Sequence, residues 1–220
     1  MAKKERKNKI KNKEEFQMPE WMECAWRRVP CDRDDCKICG KIKRERARHI
    51  AAGENPDDMS VALEDVGNDF KEMLSMIKAD AAAHGFDIEN IDDIQEPPEP
   101  NDFPFYNQAA EWSADIHKMA EQAYDNLDAW PELEPGLDLL WYSNTILAKI
   151  YRQLCNRWHI EQGDEYGEED YKYTKYVLGE CLAILKKSLG ELITMYPEQK
   201  GKFNLSLIML SGIEEQAMKI

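Results

Sequence analysis

Apolar residues recur every three or four positions along most of this chain, in runs separated by clusters of proline, glycine and acidic residues. That period belongs to helices with one face turned away from water. The first run, Leu63, Val66, Phe70, Leu74, Ile77 and Ala81, follows the breaker AAGENPDD and closes at His84-Gly85. It predicts a helix over about 61–83 with Ser60 as its N-cap. Its stripe needs cover, either from the chain's own body or from a second subunit in a homodimer. The stretch that follows, FDIENIDDIQEPPEPNDFP, sets Phe86, Ile88, Ile91 and Ile94 among acids and prolines. It predicts an extended strap laid across the body.

Pro104 suits a first helical position, and Phe105, Ala109, Trp112, Ile116, Met119, Ala123 and Leu127 then form a stripe up to the stop at Trp130-Pro131. Further helices are expected over about 135–159, 168–195 and 204 to the C-terminus. The first two have the widest apolar faces, Leu140, Leu147, Tyr151, Leu154 and Trp158 on one, Val177, Leu178, Leu182, Leu185 and Leu189 on the other, and should be the central pair. Short connections between long amphipathic helices favour antiparallel neighbours, so the fold class is all-α, an up-down helical bundle of about four to five helices. Cys155 and Cys181 fall within these runs as core thiols. Asn144, in line with Leu140 and Leu147, reads as a polar registry residue inside the bundle.

The first fifty residues break this pattern. Four of the six cysteines, Cys24, Cys31, Cys36 and Cys39, follow the spacing C-x6-C-x4-C-x2-C among Arg and Asp, which suits one bound ion better than four core side chains. No signal-like apolar run opens the chain and no segment has the length of a membrane span, so a cytoplasmic, reducing setting is expected, where clustered cysteines bind metal rather than pair. The turn Cys36-Lys-Ile-Cys39-Gly40 points to tetrahedral zinc with four sulfurs, with Arg27, Arg28, Arg33, Lys37 and Lys41 placed to offset the thiolate charge. His49 is a spare ligand. The spacing Cys31-x4-Cys36-x2-Cys39 also resembles the first three ligands of plant-type [2Fe-2S] ferredoxins, which implies an iron-sulfur cluster as the alternative cofactor. This sequence, however, carries its fourth cysteine upstream, at Cys24.

Charge separates the same two regions. Residues 1–50 hold 16 Lys/Arg against 9 Asp/Glu, and the other 170 hold 13 against 34. The chain therefore divides into a basic disordered tail at 1–20, a Cys-rich metal-binding knuckle at 21–50, an amphipathic helix and acidic Pro-rich strap at 51–103, and the helical bundle at 104–220. The basic part can bind a nucleic acid or an acidic protein, or lie on the chain's own acidic body. Trp21 and Trp26 flank Cys24, where packing over the knuckle is favoured over stacking on bases.

Arg152 and His159 lie two turns apart on one helix, with Asn156 between them. The R-x6-H spacing on a helical bundle resembles the motif of HEPN-type ribonucleases, which implies an Arg and a His set against the scissile phosphate. The bland assignment pairs Arg152, Arg157 and His159 with the acidic loop Glu161, Asp164, Glu165, Glu168, Glu169 and Asp170, which lacks the alternation of a calcium site. No phosphate loop, G-x-S-x-G elbow, H-E-x-x-H or dinucleotide fingerprint occurs. The expectation is a non-enzymatic, zinc-stabilised binding or regulatory protein. An iron-sulfur redox protein, or a ribonuclease using Arg152 and His159, is the alternative.

Overall fold

The computed structural model describes residues 20–83, 85, 96–163 and 167–220. One single-turn helix, α1 (Glu20–Glu23), precedes six longer ones: α2 (Cys39–Ala51), α3 (Met59–Ala83), α4 (Pro104–Asp125), α5 (Glu134–Glu161), α6 (Gly167–Met195) and α7 (Lys200–Ala217). The last four form the bundle. Helix α5 lies along α6, α4 packs on α5, α7 packs on α6, and α4 closes the ring against α7. The basic tail, the strap residues Phe86, Ile88, Ile91 and Ile94, and Asp164 and Glu165 of the acidic loop fall outside the described residues.

The bundle closes because each helix brings an apolar line to the middle. Ile116 of α4, Ile146 and Ile150 of α5, Leu182, Leu185 and Leu189 of α6, and Leu210 and Ile213 of α7 are all buried. Burial at this level contributes about 2 kcal/mol per large side chain. Trp112 of α4 donates its indole N–H to the Ser206 carbonyl of α7 at 3.0 Å, so its ring is buried without an orphaned donor. The turn before α5 seats Trp130 edge-on to Phe203, ring centres 5.4 Å apart. Gly136 lets the first turn of α5 rest on that turn, since a Cβ there would meet the Trp130 carbonyl at 1.9 Å.

The face of α6 matches its sequence stripe, but α5 is rotated from the expected line. Its interior positions are Leu139, Tyr142, Ser143, Ile146, Ile150, Gln153 and Asn156, while Leu140, Leu147 and Leu154 are only partly buried at the flank. Three of those interior positions are polar, which is why apolarity alone misplaces the centre. Asn144 is exposed and receives a hydrogen-bond contact from His117 at 3.1 Å, so it is not an interior registry residue. Leu127 also leaves its stripe. Helix α4 ends at Asp125, and Leu127 takes a left-handed conformation (φ 59°) in a Schellman turn, with the Asp128 amide bonded to the Ala123 carbonyl at 2.8 Å. Cys181 is fully buried and Cys155 half-buried.

Helix α3 forms where the spacing predicts it, starting slightly earlier. Asp58, not Ser60, is the capping side chain: its carboxylate accepts from the Ser60 amide at 2.8 Å and from the Ser60 hydroxyl at 2.6 Å. No residue of α3 is buried. The described end of the strap does lie on the body, with Tyr151 of α5 donating to the Pro98 carbonyl at 3.3 Å and stacking edge-on with Phe103. No helix of the described residues is long and apolar enough to cross a membrane.

Candidate metal centre

Local backbone geometry brings the four cysteines together. Helix α1 unwinds into a turn in which the Ala25 amide bonds Met22 and the Arg27 amide bonds Glu23, both at 3.1 Å, and Cys24 rides on that turn. Asp32, immediately after Cys31, takes φ 56°, a left-handed kink that turns the chain back toward Cys36. The Cys36-x2-Cys39 pair then leads into α2. The Cys39 amide approaches the Cys36 sulfur at 3.5 Å and the Gly40 amide bonds the Cys36 carbonyl at 2.8 Å. Gly40 is required by contact, because a Cβ there would meet the Asp34 carbonyl oxygen at 2.2 Å.

The result is four sulfurs all within 4.8 Å of one another, the only such ligand group among the described residues. The sulfurs of Cys31 and Cys39 lie 3.5 Å apart. No disulfide forms. Cys36 and Cys39 are buried, Cys24 is half-buried and Cys31 is exposed, so the cluster has an inner and an outer side. The Cys39 backbone amide, seconded by that of Ile38, pulls the Cys36 thiol down to about 7 against its burial. Burial, with hydrogen bonds to the other thiols, pushes Cys24 up to about 12. Cys36 is thus placed to give up its proton more readily than Cys24. A cation held by these sulfurs would bind them as thiolates, in competition with protons.

The surrounding arginines do something other than balance the sulfurs. Arg27 pairs with Glu23 at 2.8 Å, Arg33 with Asp35 at 3.0 Å and Lys41 with Asp69 at 2.5 Å, while Lys43 bridges Asp32 and Asp34 at 3.0 and 2.9 Å. Arg28 reaches away to the bundle, bonding Asp138 at 2.6 Å and also Glu134. His49, the spare ligand of the sequence, is engaged on both ring nitrogens: Nδ1 lies 2.5 Å from Glu54 and Nε2 lies 2.8 Å from Asp65. Those contacts, Glu54 first, raise the His49 pKa above its ordinary value.

Trp26 has a role that its place beside Cys24 does not announce. It enters the bundle core, 3% exposed, edge-on to Tyr142 with ring centres 6.3 Å apart. Trp141 donates its indole N–H to the Trp26 carbonyl at 3.2 Å, and the Arg28 amide donates to the Tyr142 hydroxyl at 3.2 Å. The knuckle is therefore fastened to the first half of α5 through Trp26–Arg28. Sequence alone gives no sign of this, since the partners lie more than a hundred residues apart.

The second candidate site is an ion-pair network. Arg152 binds the Asp170 carboxylate of α6 with Nε at 2.7 Å and a second nitrogen alongside, and Asn156 donates to the same carboxylate at 2.7 Å. Burial works to raise the Asp170 pKa, yet these donors outweigh it and hold the carboxyl below its usual range. Arg157 pairs with Glu161 at 3.1 Å, and His159 lies edge-on to Trp158 with ring centres 5.0 Å apart. The Cys181 thiol is pushed up to about 12 by burial, as suits an unreactive core group.

Comparison of the chain with protein-family models, with curated proteins and with solved structures gives no match.

Proposed function

We propose that this chain is a non-enzymatic binding module of the reducing cytoplasm, in which Cys24, Cys31, Cys36 and Cys39 hold one structural zinc ion and the knuckle so formed presents a basic N-terminal arm to a nucleic acid. The observation that carries it is the compact set of four unpaired sulfurs, in a segment locked to the bundle. With Zn–S bonds of about 2.3 Å, a tetrahedron has sulfur-sulfur edges of about 3.8 Å. The 3.5 Å pair and the 4.8 Å limit bracket that length. A two-iron cluster divides its four cysteines between two metals and spreads them further, so the compactness supports a single ion. Bound zinc supplies a cross-link and charge but no redox chemistry.

The ion pairs around the knuckle sharpen the choice of binding surface. Arg27, Arg28, Arg33, Lys41 and Lys43 already have carboxylate partners, whereas residues 1–18 carry 7 Lys/Arg against 3 Asp/Glu. Binding through that arm is electrostatic, so log affinity for duplex DNA or structured RNA falls linearly with log salt, with a slope no steeper than about −6. Deleting residues 1–18 abolishes binding without releasing zinc. Absence of binding overturns the nucleic-acid reading and leaves an acidic protein as the ligand, and binding insensitive to salt or unchanged by the deletion overturns the arm as the binding surface. The Arg152–Asp170 pair supports a structural role for the R-x6-H positions, so His159→Ala leaves RNA levels unchanged in a cleavage assay.

A further inference from the structure

Helix α3 carries the largest exposed apolar surface among the described residues. Met59, Leu63, Val66, Phe70, Met73, Leu74, Met76 and Ile77 are each between 45 and 73% exposed. A 25-residue helix with no buried position is out of keeping with a stripe this regular. Exposed patches of this kind mark interaction surfaces. We propose that α3 is a self-association helix, pairing with α3 of a second copy in antiparallel orientation.

The spacing is what selects a second copy. Met59, Leu63, Val66, Phe70, Met73 and Ile77 are separated by 4, 3, 4, 3 and 4 residues, the alternation of a coiled-coil seam. It reads the same in both directions. Laid against a reversed copy, Met59 meets Ile77, Leu63 meets Met73 and Val66 meets Phe70, so all six layers are apolar on both sides. Each layer sets a different residue against its mate, and Phe70 faces the smaller Val66 rather than another Phe70.

Charge agrees with the reversed direction. The first half of α3 carries Glu64, Asp65 and Asp69 with no cation, while from its midpoint on Lys71 and Lys78 are balanced by Glu72 and Asp80. A parallel pair sets the two acidic halves at the same end, and a reversed pair sets each against a half of no net charge. The antiparallel pair brings Glu64 within one residue of level with Lys71 of the other copy, on the flank where Ser60 and Gly67 add almost no side-chain bulk, and it opposes the two helix dipoles. A Cβ at Gly67 meets nothing within 4 Å in the single chain. Its own helix therefore gives no reason for a residue that destabilises a helix interior by about 1 kcal/mol relative to alanine. Close approach of a partner helix supplies one.

Helix α2 does not stand in the way. It holds the flank of α3 that carries Asp65 and Asp69, through Arg48–Asp65 at 2.6 Å, His49–Asp65 at 2.8 Å and Lys41–Asp69 at 2.5 Å. The seam stays open, and Asp69, the one acid beside it, already has its cation. Eight large side chains with roughly 100 Å2 exposed on each give about 800 Å2 per copy, the share each partner contributes to a stable interface of standard size.

Sedimentation equilibrium on the full-length zinc-loaded chain over a range of concentrations tests this. The expected mass is twice the 25.6 kDa of the chain. Phe70→Glu returns it to the monomer, or raises the dimer dissociation constant by about a hundredfold, with helicity and zinc content unchanged. Glu64→Lys and Lys71→Glu each weaken the dimer and together restore it. A monomer at every concentration overturns the proposal, as does a dimer indifferent to Phe70→Glu. A dimer lost with Phe70→Glu but not restored by the double charge swap overturns the antiparallel arrangement.

Discussion

The knuckle and the bundle are held together by different means. Bundle helices α5 and α6 bury Leu139, Ile146, Ile150, Leu178, Leu182, Leu185, Leu189 and Leu192 against one another, enough apolar surface to order long helices without a cross-link. From Met22 to Asp58 the buried side chains are only Trp26, Cys36, Cys39 and His49, and Trp26 belongs to the bundle's own core. A segment this poor in apolar burial does not offset its conformational entropy by packing. The ion pairs of Lys43 with Asp32 and Asp34, and of His49 with Glu54, each have an exposed partner and add little, which leaves the four sulfurs and the anchor at Trp26–Arg28 as its main ties. On the proposed reading, one chain thus contains a part that folds by burial and a part that folds by coordination.

The largest effect that separates the two parts is removal of the ion. Chelation, or Cys36→Ser with Cys39→Ser, should unfold 22–58 while the bundle keeps its helicity and its thermal midpoint. The loss to the knuckle is on the order of 10 kcal/mol, the scale of structural zinc in small modules. Protease protection mapped along the chain checks it, and loss of the bundle along with the knuckle would show that the two are not separable.

Trp26→Ala comes next, at about 3–5 kcal/mol. It should free the knuckle from α5 while leaving zinc bound, so metal content stays constant as cleavage after Arg27 or Arg28 increases. Leu185→Ala, on the bundle's side of the comparison, should cost about 2–5 kcal/mol by denaturant unfolding and leave zinc affinity untouched.

The smallest effect is one of pH. His49 has a raised pKa because Glu54 and Asp65 hold its charged form. Its contribution is complete below the unfolded value of about 6.5 and fades as pH rises through the folded value. At saturating zinc, the stability difference between wild type and His49→Gln should therefore narrow from about pH 6 to about pH 8. A difference that widens with pH would contradict the ion-pair account.

Much of this was legible in the sequence, for stated reasons. The face of α6 could be read because Val177, Leu178, Leu182, Leu185 and Leu189 are apolar without exception, and the cysteines because their spacing leaves few other uses. The centre of α5 could not, because its interior line runs through Ser143, Gln153 and Asn156, and apolarity favours the flank of Leu140, Leu147 and Leu154. The stripe of α3 was legible as a helix, but a pattern states that a face is apolar, not what covers it. The anchor of Trp26 on Tyr142 and Trp141 was invisible because nothing local encodes a contact across more than a hundred residues. Near Cys36, nearest-neighbour charge suggested arginines serving the sulfurs, and only the folded chain shows carboxylates taking them first.

The coordination account rests on what the four sulfurs hold. Native mass measurement of the chain, purified without chelator or oxidant, tests it most directly. The account predicts one zinc ion per chain, lost together when Cys36 and Cys39 are both replaced by serine. A mass carrying two irons and two sulfides, or an ion-free chain short of hydrogens through disulfide formation, would contradict it.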